Sequence, residues 1–149
     1  MRIVTQFSVF LINKPGVLAQ IVGSLADAKI NVQALTAVDS HEHGVLRIVG
    51  DDPAALRAAL QKLNLPTHET EVLSVELSNR AGALAAVLQT LAEEHINIDY
   101  AYVTAGAPGG MTTGILHLNP LGKATKILES KLKRLAESGG PIRQNQRRR

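Results

Sequence analysis

The chain opens on a period of two. Ile3, Thr5, Phe7, Val9 and Leu11 fall on one face of an extended segment, which predicts a strand. The period then lengthens. Leu18, Ile21, Val22 and Leu25 stand at i, i+3, i+4 and i+7, one apolar stripe on a helix. Asn13-Lys14-Pro15-Gly16 separates the two, and Pro15 suits a helix's first turn because the N–H it lacks would have no partner there. Lys29-Ile30-Asn31 ends the helix. Residues 32–38 and 45–50 read as two further strands around a polar hairpin loop at 39–44. Asp51-Asp52-Pro53 starts a second helix, a carboxylate cap followed by Pro, with Leu56, Leu60 and Leu63 as its apolar face.

The same succession then returns. Residues 11–31, LINKPGVLAQIVGSLADAKIN, align without a gap to residues 77–97, LSNRAGALAAVLQTLAEEHIN, at an offset of 66. Asn13, Gly16, Leu18, Ala19, Leu25, Ala26, Ile30 and Asn31 recur as Asn79, Gly82, Leu84, Ala85, Leu91, Ala92, Ile96 and Asn97. A repeat of this length marks two copies of one supersecondary unit. The second copy's helix is expected over 83–94, with Leu84, Val87, Leu88 and Leu91 facing inward, and its strands over 98–104 and 112–118. The loop between those strands is four residues longer than its counterpart, since Gly114 now matches Gly44. A last helix opens at Asn119-Pro120. Residues 67–78 must close the first unit and open the second, as one long strand or as two divided by a tight bend. Two β-α-β-β-α-β units predict a ferredoxin-like α+β fold, antiparallel sheets with helices on one face. The domains are then 1–66 and 67–138. Gly139-Gly140-Pro141 sets off a basic tail over 139–149, expected to be flexible, in which Ile142-Arg143 could supply a stub of closing strand.

Units of 65 to 70 residues bury little apolar surface alone, so the copies are expected to pack together or to form a homodimer. The net charge of +3 is carried by the end of the chain. Without Arg143, Arg147, Arg148 and Arg149, 12 basic residues face 13 acidic ones, which does not announce a nucleic-acid partner. There are no cysteines, which excludes disulfides and thiol catalysis. No apolar run approaches the ~18 residues that cross a bilayer, and the first residues lack a signal-peptide layout, so a cytoplasmic protein without membrane attachment is expected.

The repeated loop is where chemistry is concentrated. A helix that starts in a glycine turn presents free N–H groups and the positive end of its dipole, a setting for a carboxylate or phosphate. Asn13 and Asn79 each add an amide donor and acceptor. Such a loop suits a zwitterion, and it equally suits a plain helix-capping turn. The succession of strand, Asn13 to Leu18, helix, Ile30-Asn31-Val32, then Gly44 to Val49 and a second helix resembles the ACT domain, in which Asp or Asn stands three residues before the Gly. The second copy, from Asn79 to Leu84 and on to Ile96-Asn97-Ile98, resembles it equally, and the likeness reaches to about Ser138. The tandem arrangement is similar to small stand-alone bacterial ACT proteins described as amino-acid-binding. By that resemblance the ligand site falls on Asn13, Lys14, Pro15, Gly16, Val17 and Leu18 with Asn31 and Val32, and on Asn79, Arg80, Ala81, Gly82, Ala83 and Leu84 with Asn97 and Ile98. Ala81 replaces the frequent Pro, which loosens the second turn and makes the first loop the expected stronger site.

Other signals carry less. His41 and His43 flank Glu42 without further ligands nearby, so no metal site is expected. Gly106 to Gly110 lacks the Lys and the following helix of a phosphate loop. Tyr100 and Tyr102 share a strand face, and packing against a partner sheet is favoured over stacking on RNA bases. No constellation supports catalysis, and no cofactor is expected. The resemblance therefore implies a non-enzymatic regulatory protein that binds a free amino acid. The alternative is a regulatory subunit of a separate amino-acid-biosynthetic enzyme, similar to the small subunit of acetolactate synthase, and a nucleic-acid-binding module is the weakest reading.

Overall fold

The computed structural model describes residues 1–12, 14–40, 43–104, 106–107 and 109–138. Asn13, the pair 41–42 and the tail 139–149 with its Ile142-Arg143 lie outside the described residues. Among the described residues the chain runs β1 (Arg2–Leu11), α1 (Val17–Asp27), β2 (Val32–Ser40), β3 (His43–Gly50), α2 (Pro53–Lys62), β4 (Thr67–Ser78), α3 (Ala83–Glu93), β5 (Ile98–Val103), β6 (Met111–Leu118) and α4 (Leu121–Ser138). The strands form one antiparallel sheet in the order β2-β3-β1-β4-β6-β5. These are the two ferredoxin-like units expected from the repeat.

Residues 67–78 are one unbroken strand that serves both units. β4 pairs with β1 from Thr67 to Ser74 and with β6 from Leu73 to Ser78. β1 is used in the same double way, against β3 from Phe7 to Leu11 and against β4 from Arg2 to Val9. The register between them follows from the repeat. Thr5 faces Glu71, its own equivalent at the offset of 66, and the pairing of Arg2 with Ser74 has its image in Ser8 with His68. A pseudo-twofold axis through Thr5 and Glu71 therefore exchanges the halves. Where a closing strand for the second unit belongs, Arg2 to Thr5 lie beside Glu71 to Ser74 of β4, and Met1 packs on the second core.

The helix-bearing face holds two cores related by that axis. Phe7, Val9, Leu46 and Ile48 meet Ile21 and Leu25 of α1 and Leu56 and Leu60 of α2. Leu73, Val75, Leu116 and Leu118 meet Val87 and Leu91 of α3 and Ala124 and Leu128 of α4. Burying each such leucine or isoleucine stabilises the fold by roughly 1.5–3 kcal/mol before entropy is counted. The stripe read on α1 is narrower than expected: Leu18 is 41% and Val22 37% exposed, because the helix lies over the sheet on its Ile21–Leu25 side only. The cap of α2 is as read, with one Asp52 carboxylate oxygen accepting from the Ala54 and Ala55 N–H groups at 3.0 Å. The loop expected at 39–44 is shorter, since β2 and β3 stay paired through Asp39 with Gly44 and Ser40 with His43. His43 is exposed while its backbone stays in the ladder, so a polar residue there does not mark the end of pairing. No helix among the described residues is long and apolar enough to cross a membrane.

The other face is concave. The Tyr100 and Tyr102 hydroxyls on β5 bond to the Gln6 side chain on β1 at 2.7 and 3.1 Å, although β1 and β5 are three places apart in the sheet. Strands are spaced about 4.8 Å, so a flat sheet would hold these elements roughly 14 Å apart. The sheet must curl to close that gap, and Gln6 is fully buried beneath the tyrosines.

Candidate functional site

The two strand-to-helix loops have one geometry. Gly16 caps α1 at φ 90°, ψ −20°, and Gly82 caps α3 at φ 86°, ψ −13°. This left-handed conformation strains any residue with a Cβ. Val17 N–H donates to the Lys14 carbonyl at 3.3 Å, as Ala83 N–H does to Arg80. Gln20 N–H donates to the Gly16 carbonyl at 2.9 Å, and Ala86 N–H to Gly82 at 3.0 Å. Neither cap residue offers a side-chain acceptor to the first helical turn. An exposed basic residue, Lys14 or Arg80, stands beside each turn, so helix end and side chain both favour an anion there.

Each loop opens onto a hollow, and the two hollows correspond residue by residue. Leu11, Lys14, Val17 and Leu18 line the first, and their equivalents Leu77, Arg80, Ala83 and Leu84 line the second. Ala37 and Val38 of β2 match Val103 and Thr104. The first hollow measures about 140 Å³ and the second about 430 Å³. The strand residues on these walls were not among the sequence candidates, though the offset that paired the loops also pairs them.

The structure brings some predicted residues together and separates others. Lys14, Val17 and Leu18 line the first hollow, with Pro15 and Gly16 forming the turn beside it. Asn79, Arg80, Ala83 and Leu84 line the second, with Ala81 and Gly82 in the turn. Asn31 and Val32 sit at the other end of α1, about 16 Å away for an eleven-residue helix. There Asn31 exchanges backbone bonds with Asp51, donating to its carboxylate and accepting from its N–H, both at 3.1 Å. Asn97 and Ile98 stand in the same relation to α3, Asn97 donating to Asp99 at 3.3 Å and Ile98 packing on the second core. Within one chain these four do not face either loop. Asn79 differs from the expectation too. Its amide donates to the Gly106 and Ala107 carbonyls at 2.7 and 3.1 Å, and its N–H to Gly110 at 2.8 Å. Its donors fasten the β5–β6 loop and are not offered to the hollow. That loop accepts only glycine at position 106, where a Cβ would lie 2.2 Å from the Met111 carbonyl oxygen.

The concave face gathers a second polar group. The Arg47 guanidinium carbon lies 4.1 Å from the Tyr100 ring centre, and the His117 ring stacks on the same tyrosine at 4.8 Å with planes 5° apart. Two groups that close to one ring must take its two faces, so Tyr100 has none left for a nucleic-acid base. His117 Nδ1 approaches Asp99 to 2.9 Å without hydrogen-bond geometry. Within the chain both tyrosine hydroxyls bond to the Gln6 side chain.

Fold and loops together define a tandem ACT architecture. The chain belongs to the ACT domain pair family, whose model matches residues 1–138. It is similar to the protein BT0572 of Bacteroides thetaiotaomicron at 30% identity and a TM-score of 0.79, over 87% of this chain and 88% of that one. The fold is shared with the ligand-free regulatory subunit of aspartate kinase from Thermus thermophilus, at 13% identity and a TM-score of 0.62, over 87% and 97% of the two chains. Escherichia coli aspartokinase III, solved in complex with lysine and aspartate, matches at 21% identity and a TM-score of 0.54, over 89% of this chain and 32% of its own. No curated protein matches the chain at a significant level.

Proposed function

We propose that this protein is a non-catalytic regulatory sensor of free amino acids, a cytoplasmic homodimer whose loops at 13–18 and 79–84 hold the ligand near interfaces between ACT units. The observation that carries the reading is the duplicated arrangement of glycine-capped helix start, adjacent cation and hollow. The helix N–H groups and Lys14 or Arg80 take the carboxylate, and the hollow takes the side chain. Asn31, Val32, Asn97 and Ile98 join these loops only across a contact between copies, which is why the dimer is part of the proposal. A thermal-shift screen of the common amino acids tests it. A ligand at 100 times its dissociation constant adds about 2.7 kcal/mol, a shift of several degrees for a chain of this size. Gly16→Val and Gly82→Val should each weaken binding while the protein still purifies folded. No shift with any amino acid at millimolar concentration would sink the reading.

A second reading makes the chain the regulatory subunit of a separate biosynthetic enzyme. The likeness to the aspartate kinase regulatory subunit over 97% of that chain favours it at the level of fold. A stoichiometric enzyme recovered with the tagged protein, and released or retained by amino acid, distinguishes it from a free-standing sensor.

A further inference from the structure

We infer that the two hollows are tuned to different amino acids, the first to an aliphatic side chain and the second to one bearing a hydroxyl or carboxamide. The inference rests on the amino-acid reading above and specifies it. The walls of the first hollow are Leu11, Val17, Leu18, Val38 and Leu46, with Lys14 at the turn. An apolar void of about 150 Å³ accommodates a benzene-sized group and holds no water. At about 140 Å³ the first hollow suits an isopropyl or isobutyl group, and apart from Lys14 none of its lining side chains carries a polar group.

The second hollow differs at four matched wall positions: Arg80 for Lys14, Ala83 for Val17, Val103 for Ala37 and Thr104 for Val38, and only the last exchanges an apolar side chain for a hydroxyl. Thr112 faces Thr104 across the hairpin, with the two hydroxyl oxygens 3.5 Å apart, too far for a strong bond. Thr104 Oγ1 already accepts the Thr113 N–H at 3.0 Å, and the Thr112 hydroxyl donates to the Thr104 carbonyl. Each hydroxyl carries one proton and two lone pairs. Among the described residues, and beyond that weak contact between them, Thr104 is therefore left with a proton to give and Thr112 with a lone pair to receive one. A hydroxyl or carboxamide both donates and accepts, and so completes the two together. An isosteric methyl completes neither. A site built to hydrogen-bond rejects the analogue lacking the group more strongly than an apolar pocket rejects an added hydroxyl, so the second hollow should be the more selective.

L-Threonine and L-valine, equal in shape and differing by hydroxyl against methyl, are the probes. Amide shift mapping by NMR and calorimetry on the full chain locate and weigh each one. Threonine is expected to move amides of residues 77–84, 103–104 and 112, and valine those of 11–18, 37–38 and 44–46, each hollow preferring its own ligand by tenfold or more. Thr104→Val should erase the threonine preference of the second hollow, Thr104→Ser should retain it, and Val38→Thr should narrow the valine preference of the first. Both probes in one hollow, or a threonine-to-valine ratio unmoved by Thr104→Val, overturns the division. Binding of other amino acids at either hollow with neither probe bound overturns it while leaving the amino-acid reading intact. Amides that no amino acid moves overturn both.

Discussion

The halves of this molecule share a strand-to-helix turn to within a few degrees and part company at the hairpin opposite it. In the first half β2 and β3 stay paired to Ser40 and His43 and line a small hollow with Leu11, Lys14, Val17 and Leu18. In the second, β5 stops at Val103 and β6 starts at Met111, and the slack between them is tied down by Asn79. The turn is the invariant part of the duplicated unit. The copies differ in the length and fastening of the hairpin beside that turn, which in the second half is bonded directly to Asn79.

The sharpest way to break the comparison is to damage one core and watch the other. Leu25 and Leu91 are equivalent, and both are fully buried. Leu25→Ala and Leu91→Ala should each cost about 2–5 kcal/mol. Because β1 and β4 each pair into both halves, either change should lower one common unfolding transition seen by denaturant titration. Two separate transitions, each moved by only one variant, would show the halves to be independent.

The shared strands were only half legible in the sequence. Alternation marked Leu73, Val75 and Leu77 as equivalents of Phe7, Val9 and Leu11, and all six are where that equivalence puts them. Alternation cannot tell one strand from two, because a bend leaves the period intact; the answer lay in pairing, which is tertiary. The glycine turns were legible because a strand that breaks at Gly before an apolar helix stripe is a local pattern that recurs at the offset of 66, whereas Lys14 and Arg80 entered only through the family resemblance. The strand walls of the hollows were not, since Val38 and Thr104 reach them through sheet register. Asn79 was legible as a polar loop residue but not as a fastener of residues 106–110, a contact that exists only once the hairpin folds back.

A smaller effect tests that fastening. Asn79→Ala removes two side-chain hydrogen bonds and leaves the Gly106 and Ala107 carbonyls without those donors. The expected cost is about 1–3 kcal/mol. Hydrogen exchange should quicken at residues 104–112 and stay unchanged around the first hollow. Equal quickening on both sides would mean that the loop is held by the sheet and not by Asn79.

The turns themselves should respond alike. A Cβ at Gly16 or at Gly82 would meet no atom within 4 Å, so alanine there is opposed by backbone strain and not by crowding. Gly16→Ala and Gly82→Ala should each cost roughly 1–2 kcal/mol, equal within the error of a denaturant titration. A clear difference would show that Pro15 and Ala81 already set the two turns at different tension.

The smallest effect lies on the concave face, where the twofold relation is abandoned. Gln6 of the first half has Val72 as its equivalent, and Tyr100 and Tyr102 of the second have Ala34 and Thr36. Only one half supplies tyrosines and only the other the buried amide that receives them, so the network ties the halves in one direction. Tyr102 donates to Gln6 Oε1 at 3.1 Å. Burial foremost, with Tyr100 beside it and Arg47 opposing, raises its hydroxyl above the usual tyrosine range. A folded-state value above the unfolded one of about 10 means that only the unfolded chain releases this proton near that pH. The stabilisation is therefore complete below about pH 10 and is lost as pH rises beyond it. Tyr102→Phe should cost about 0.5–1.5 kcal/mol at neutral pH and flatten the decline in stability above pH 10, read by urea denaturation across that range. A decline as steep in the variant as in the wild type would assign the alkaline sensitivity to other groups and leave Tyr102 as a packing residue.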